Sequence, residues 1–164
     1  MAYFHFSSVE HEIGTVLKPG HWGATLDSSR YLEPVLGQQF SIEAFREPWR
    51  LASEAILEIT RSNEFPSKPS RFNCVFVLEG MPAVELCRSF LGGNPLLYEV
   101  ELVNPAASTV AADFSLLSWA SRFPPGIPFF PNTREIARRY WSAVDPIVPE
   151  ILTESDVIIR KKIE

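Results

Sequence analysis

Residues 69–103 constrain the fold most, because they contain a strand, a helix and a second strand in direct succession. The run 72–78 is apolar and rich in β-branched and aromatic residues, which predicts a buried strand. From Pro82 onward, apolar residues recur at three- and four-residue spacing, which predicts a short helix that ends at Gly92. Residues 96–103 then alternate between the two faces of a second strand.

Patterns elsewhere add strands at both ends of the chain and a long helix between them. Residues 3–7 alternate as a half-buried strand does, which turns His5 and Ser7 towards one face. Residues 155–160 predict a last strand. Residues 41–63 predict an amphipathic helix, bent or restarted at Pro48, whose charged residues fall largely away from the core. Its predicted core face carries Phe45, Trp49, Ala52, Ile56 and Ile59.

Three further segments give weaker patterns. Residues 23–39 have little periodicity and predict a loop with one turn of helix. The proline cluster of residues 124–131 predicts a stiff, extended loop, after which Thr133 caps a helix. Asp113 precedes an apolar stretch, so it either caps a short helix or acts in catalysis.

Composition limits the class of protein. A chain of 164 residues with 46% hydrophobic content is expected to form one domain, residues 1–164. The net charge of −5 disfavours a nucleic-acid acceptor without excluding one. No secretory signal or membrane-spanning run is present, which predicts a cytoplasmic protein without a membrane partner. Cys74 and Cys87 lie in apolar patterns without metal-site spacing, so we expect buried free thiols and no metal.

The order of these parts resembles a known family. The resemblance rests on five parts that follow one another along the chain. They are Phe4-His5-Phe6-Ser7 in the first strand, Val75-Phe76 in the central strand, the strand that ends at Asn104-Pro105, an acidic residue beyond it, and Tyr140-Trp141-Ser142. This arrangement is similar to that of the ADP-ribosyltransferase-like proteins, in particular the small rifampin ADP-ribosyltransferases and related uncharacterised bacterial domains. The resemblance implies an α+β fold with an ADP-ribosyltransferase-like split β-sheet core and flanking helices.

The resemblance also implies NAD as co-substrate and assigns residues to its pocket. His5 and Ser7 match a His-Gly-Thr strand, although Phe6 replaces the glycine. Phe76 replaces a tyrosine and can still stack on nicotinamide. In this interpretation His5 donates a hydrogen bond to a ribose hydroxyl, and Tyr140 belongs to the pocket. Arg71 has no firm counterpart, but its guanidinium at the start of the central strand can hold a pyrophosphate.

Two positions compete for the catalytic carboxylate. Asp113 is the nearest match to the acidic residue of the rifampin enzymes, and Glu99-Val100-Glu101 has the Glu-x-Glu spacing of other ADP-ribosyltransferases. Breaking the bond between nicotinamide and ribose builds positive charge on the sugar, which a carboxylate stabilises. We place Asp113 first and Glu101 second.

The sequence leaves two functions open. One is a mono-ADP-ribosyltransferase that acts on an unidentified protein, nucleic-acid or small-molecule acceptor, as a toxin, resistance factor or defence protein. The other is an inactive NAD-binding or protein-interaction module on the same fold.

Overall fold

Seven antiparallel strands form one curled sheet in the computed structural model, which describes residues 2–26 and 42–164, the side chains of 42–47 excepted. Their order across the sheet places the first strand of the chain in its middle. In chain order the strands are β1 (Tyr3–Ser7), β2 (Val16–Leu17), β3 (Val75–Glu79), β4 (Leu96–Leu102), β5 (Thr109–Asp113), β6 (Pro149–Thr153) and β7 (Val157–Lys162). The spatial order is β2-β7-β4-β1-β3-β6-β5.

The sheet consists of two halves joined by a short seam. On one side β1 pairs with β4 along its whole length, from Tyr3 opposite Val100 to Ser7 opposite Leu96. On the other side, only Tyr3 and Phe4 of β1 are in register with β3. β1 and β3 therefore separate from His5 onward, which leaves a gap between the two halves.

Helices cover the sheet and bury its apolar side chains. They are α1 (His21–Leu26), α2 (Ile42–Glu64), α3 (Gly80–Arg88), α4 (Trp119–Arg122) and α5 (Phe129–Ser142), with 3-10 turns at Arg71–Asn73 and Phe114–Leu117. α2 packs against α5, where the fully buried Trp141 donates its indole N–H to the Leu57 carbonyl at 2.8 Å. The fold is thus of the mixed α+β class, as the resemblance implies.

Several predictions from the sequence are confirmed. The strand, helix and strand of residues 69–103 appear as β3, α3 and β4, although 71–73 form a 3-10 turn ahead of β3. The first and last strands are present as β1 and β7. Cys74 and Cys87 are buried free thiols, and burial raises the pKa of each to about 12.

The predicted core face of the long helix is wrong at two positions, although Ile56 does pack against the core. Trp49 and Ile59 are 38% and 59% exposed, whereas Glu54 is only 1% exposed. The buried stripe instead contains Ser53, Glu54, Leu57 and Thr60. Two arginines neutralise Glu54, so a charged residue can face the interior here. The side chain of Phe45 lies outside the described residues.

The start of the last helix also differs from the prediction. α5 begins at Phe129, within the proline cluster, and Pro128 occupies its N-cap position. Thr133 therefore lies inside the helix, where its side chain is buried and caps nothing. Proline fits the first helical turn because no backbone N–H is needed there, so Pro131 does not exclude a helix. Of the predicted loop at 23–39, residues 27–39 lie outside the described part of the chain.

Candidate functional site

Two adjoining chambers open where β1 and β3 separate. The small chamber has a volume of about 220 Å³ and is walled mainly by aromatic and aliphatic side chains. The large chamber has a volume of about 780 Å³ and lies between the seam and the segment that leads into α1. Four residues line both chambers, namely His5, Phe6, Trp22 and Phe76. These chambers form the candidate site.

His5 bridges the seam. Its Nδ1 lies 2.8 Å from the carbonyl oxygen of Phe76, and a carbonyl can only accept a hydrogen bond, so Nδ1 carries the proton. Burial is the main cause that lowers the pKa of His5, which outweighs the opposite effect of this hydrogen bond. The imidazole is therefore neutral at pH 7, and its Nε2 is a hydrogen-bond acceptor. Among the described residues, none donates to Nε2.

Aromatic rings supply most of the small chamber's wall. Phe76 comes from β3, Phe114 from the 3-10 turn after β5, and Trp22 from α1. α1 can approach this closely because Gly23 has no side chain. A Cβ at that position would lie 2.7 Å from the carbonyl oxygen of Phe72. Flat rings around a small cavity favour a planar ligand.

A buried network of ion pairs and hydrogen bonds closes the small chamber. The Arg71 Nε donates to Glu54 Oε2 at 3.0 Å, and its Nη1 donates to Glu150 Oε1 at 3.0 Å and to the Tyr140 hydroxyl. Tyr140 in turn donates to Glu150 Oε1 at 2.7 Å. Arg122 donates to Glu54 Oε1 at 3.2 Å. Two arginines thus balance two glutamates.

The electrostatics of this network keep its charges in place. Burial alone would lower the pKa of Arg71, but Glu54 and the other acidic neighbours raise it well above the usual value. Burial alone would raise the pKa of Glu54, yet Arg71 and Arg122 lower it overall. Burial also raises the pKa of Tyr140 well above its usual value, so its hydroxyl stays protonated. Arg71 and Glu54 are therefore charged at neutral pH, and Tyr140 is neutral.

Arg71 and Glu150 line the small chamber with atoms that the network does not use. Both hydrogen bonds to Glu150 reach Oε1, and among the described residues none donates to Oε2. The guanidinium of Arg71 lies 4.6 Å above the centre of the Phe76 ring. Glu150 and Leu152 share one face of β6, and Leu152 is opposite Phe76 in β3. Three neighbouring strands thus direct His5, Phe76 and Glu150 to one cavity.

Ser7 lines the large chamber. Its hydroxyl lies 3.0 Å from Nε2 of His11 and accepts a hydrogen bond from the Val9 N–H. The His11 ring packs edge-on against Tyr98, whose hydroxyl accepts from the His11 backbone N–H. The Ser7 side chain is therefore ordered and open to a ligand on the side of the large chamber.

The remaining predicted site residues lie away from both chambers. Tyr140 is fully buried and does not line the small chamber. It contacts two residues that do, Arg71 and Glu150, through hydrogen bonds. Asp113 is buried, and its Oδ1 accepts from the backbone N–H of Ser115 and of Val148, each at 3.0 Å, so it caps the 3-10 turn. Glu101 is on the surface, where it pairs with Arg160 at 2.7 Å.

The family comparison covers most of the chain. A family model described as a protein of unknown function, DUF2441, matches residues 27–164. The chain belongs to the DUF2441 family. The matched range includes Arg71, Phe76 and Glu150, whereas His5 and Trp22 precede it. A search of curated proteins gave no match.

Sequence reasoning missed two residues of the candidate site in this DUF2441 protein. Glu150 lies in β6, a strand that the sequence analysis did not predict, although the alternation in 149–153 is a weak signal for it. Trp22 lies in α1, within a polar surround that gave no helical pattern.

Two features are absent from the part of the chain that the structure describes. No cluster of three or more histidine, cysteine or acidic side chains is arranged to hold a metal ion there. None of the helices described is both long and apolar enough to cross a membrane.

Proposed function

We propose that this chain binds NAD at the seam and transfers its ADP-ribose to an acceptor, with release of nicotinamide. The observation that carries the proposal is the meeting of His5, Phe76 and Glu150 at one small chamber, from three neighbouring strands. The separation of β1 from β3 next to His5 supports the further proposal that the sheet is an ADP-ribosyltransferase-like split core.

The small chamber suits the nicotinamide ring. In NAD this ring is planar and carries a positive charge, so it is attracted to the faces of aromatic rings. Phe76, Trp22 and Phe114 offer such faces. Exclusion of water by these rings would strengthen the electrostatic interactions of the charged groups at the reacting bond.

A carboxylate is needed where the bond between nicotinamide and ribose breaks. The bonding electrons leave with nicotinamide, and positive charge develops on the ribose. Glu150 is the acidic residue that lines the small chamber, and its Oε2 is available. We therefore assign the stabilising carboxylate to Glu150, while Asp113 and Glu101 remain alternatives to be tested. As the acceptor attacks the anomeric carbon, its proton passes to a base, for which Glu150 Oε2 is again suited.

His5 holds the ribose in this proposal. Because its Nδ1 proton is committed to the Phe76 carbonyl, Nε2 accepts a hydrogen bond from a ribose hydroxyl. This direction is the reverse of the donor role that the resemblance implies. Fixing the ribose orients the anomeric carbon towards the acceptor.

The test is nicotinamide release, measured by chromatography for Glu150→Gln and Asp113→Asn. Glu150→Gln keeps the shape but removes the charge, and we expect release to fall by about 10²- to 10³-fold. Asp113→Asn should lower Tm, because its cap weakens, yet keep the rate per folded molecule. If Asp113→Asn slowed nicotinamide release and Glu150→Gln did not, the stabilising carboxylate would be Asp113. Unchanged rates of release in both variants would reject Glu150 as that carboxylate.

A second candidate is an NAD-binding module without turnover. The observation that favours it is the engagement of Glu150 Oε1 by both Arg71 and Tyr140, which fits a structural role as well. The wild-type protein separates the two candidates. NAD should raise Tm under both, but only a transferase should release nicotinamide. Absence of any NAD-dependent shift would reject both.

A further inference from the structure

We propose that the large chamber is a phosphate-binding subsite. It takes the phosphate groups of a nucleotide, either the diphosphate of the dinucleotide itself or the phosphate of a phosphorylated acceptor. The proposal deepens the proposed function and rests on it for the identity of the nucleotide. Its own basis is the distribution of charge between the two chambers.

The large chamber brings a lysine and several imidazole groups together in an acidic protein. The whole chain has a net charge of −5 and contains three histidines. All of these histidines, His5, His11 and His21, line this chamber together with Lys18. No aspartate or glutamate is among its described lining residues. Because the ammonium group of Lys18 meets no carboxylate among the described lining residues, this cavity attracts anions even where the rest of the acidic surface repels them.

Hydrogen-bond donors in the large chamber suit phosphate oxygens. Lys18 is exposed at its wall and forms no ion pair with any described residue. Ser7 and Ser8 add hydroxyl groups. Hydrogen bonds from charged donors to phosphate are among the stronger ones in proteins.

The small chamber cannot serve the same purpose. Its arginine, Arg71, is already neutralised by Glu54 and Glu150 and hydrogen-bonded to Tyr140. The carboxylate of Glu150 lines that chamber and would repel a phosphate group. This assignment moves the pyrophosphate away from Arg71, where the sequence had suggested it, and into the large chamber.

Inorganic pyrophosphate is the probe, because it contains no ring and no bond that a transferase could cleave. Its affinity is measured by calorimetry for wild type, Lys18→Glu and Lys161→Glu. Both lysines are exposed and both substitutions change the net charge equally, but Lys161 lies on β7, outside either chamber. We expect Lys18→Glu to weaken binding roughly tenfold or more and Lys161→Glu to change it less than about twofold. His21→Ala should also weaken it.

Competition identifies the source of the phosphate. Displacement of pyrophosphate by ADP-ribose assigns the subsite to the dinucleotide, and displacement only by a 5′-phosphorylated oligonucleotide assigns it to an acceptor. Equal weakening in both lysine variants, no binding of pyrophosphate, or no competition by either compound overturns the proposal. If pyrophosphate binds as expected but nicotinamide is never released, the subsite stands and the transferase proposal fails.

Discussion

The Nδ1 of His5 donates a hydrogen bond to the carbonyl oxygen of Phe76, 2.8 Å away, at the point where β1 and β3 cease to pair. The side chain of His5 thus links β1 to β3 beyond their last pair in register, Phe4 and Leu78. It thereby keeps two diverging strands connected while the gap between them stays open for a ligand.

Burial of His5 has a consequence for stability at mildly acidic pH. Burial, the larger cause, lowers the pKa of His5 in the folded protein. As the pH falls through about 6.5, the unfolded chain therefore takes up a proton that the folded protein resists, so this stability is full well above that pH and is lost below it. We expect His5→Asn to reduce this loss, whose slope is at most about 1.4 kcal/mol per pH unit for one proton. Urea unfolding at several pH values measures it, and identical slopes for both proteins would contradict the expectation.

The buried network should be sensitive to loss of its central cation. Arg71→Met leaves Glu150 without its ion pair and Glu54 with Arg122 alone. Because uncompensated buried charge is costly, we expect the free energy of unfolding to fall by roughly 3–5 kcal/mol. Denaturant unfolding provides the measurement. The matched control is Arg138→Met, which breaks the exposed pair with Glu64 and should change little. Similar losses in both variants would show that the Arg71 network does not hold the fold together.

Gly23 should not tolerate the smallest possible side chain. In Gly23→Ala the new Cβ would lie 2.7 Å from the Phe72 carbonyl oxygen, so α1 has to move and Trp22 with it. We expect a loss of about 1–3 kcal/mol of stability, against the usual gain when alanine replaces a helical glycine. Weaker NAD binding should accompany it.

The control for Gly23 is Gly92→Ala. A Cβ at Gly92 meets no atom within 4 Å, so this change should leave both stability and NAD binding almost intact. Thermal unfolding with and without NAD gives both quantities in one experiment. A stable Gly23→Ala protein with normal binding would mean that α1 does not pack tightly on the 71–73 turn.

Phe76→Leu removes the ring that lines both chambers and lies under Arg71. Stacking of a planar ring on an aromatic side chain is worth about 1–3 kcal/mol, so NAD affinity should fall at least roughly fivefold. Phe65→Leu is the comparison, since Phe65 also lies under a cation, Lys68, but outside the chambers. Calorimetric titration with NAD measures the affinity of both variants. Equal affinities for Phe76→Leu and Phe65→Leu would show that Phe76 does not contact NAD.

The local pattern of apolar and polar residues was enough to predict most of the strands and helices. The alternation typical of a strand and the three- and four-residue spacing typical of a helix depend only on residues that are close in sequence. The local pattern failed on α2, where Glu54 is buried and Ile59 is exposed. The partners that make Glu54 acceptable, Arg71 and Arg122, are remote in sequence, so no window of residues in α2 contains the information.

Part of the candidate site could also be predicted from the sequence. His5 and Phe76 could be paired through a resemblance, and Arg71 through its place before a strand. Glu150 could not be found in this way, because it joins the small chamber only through the pairing of β6 with β3. Asp113 was a plausible carboxylate in the sequence, but its Oδ1 accepts two backbone hydrogen bonds as a cap.

The central position of β1 also affects how the chain can fold. Phe4 lies opposite Leu78 on one side and opposite Glu99 on the other, so β1 must await partners that emerge far later. Such distant pairings slow folding, typically to milliseconds or seconds in β-rich domains. During synthesis, the apolar residues of 3–7 would stay incompletely paired until β4 had left the ribosome, and apolar surface exposed in this way is prone to aggregate.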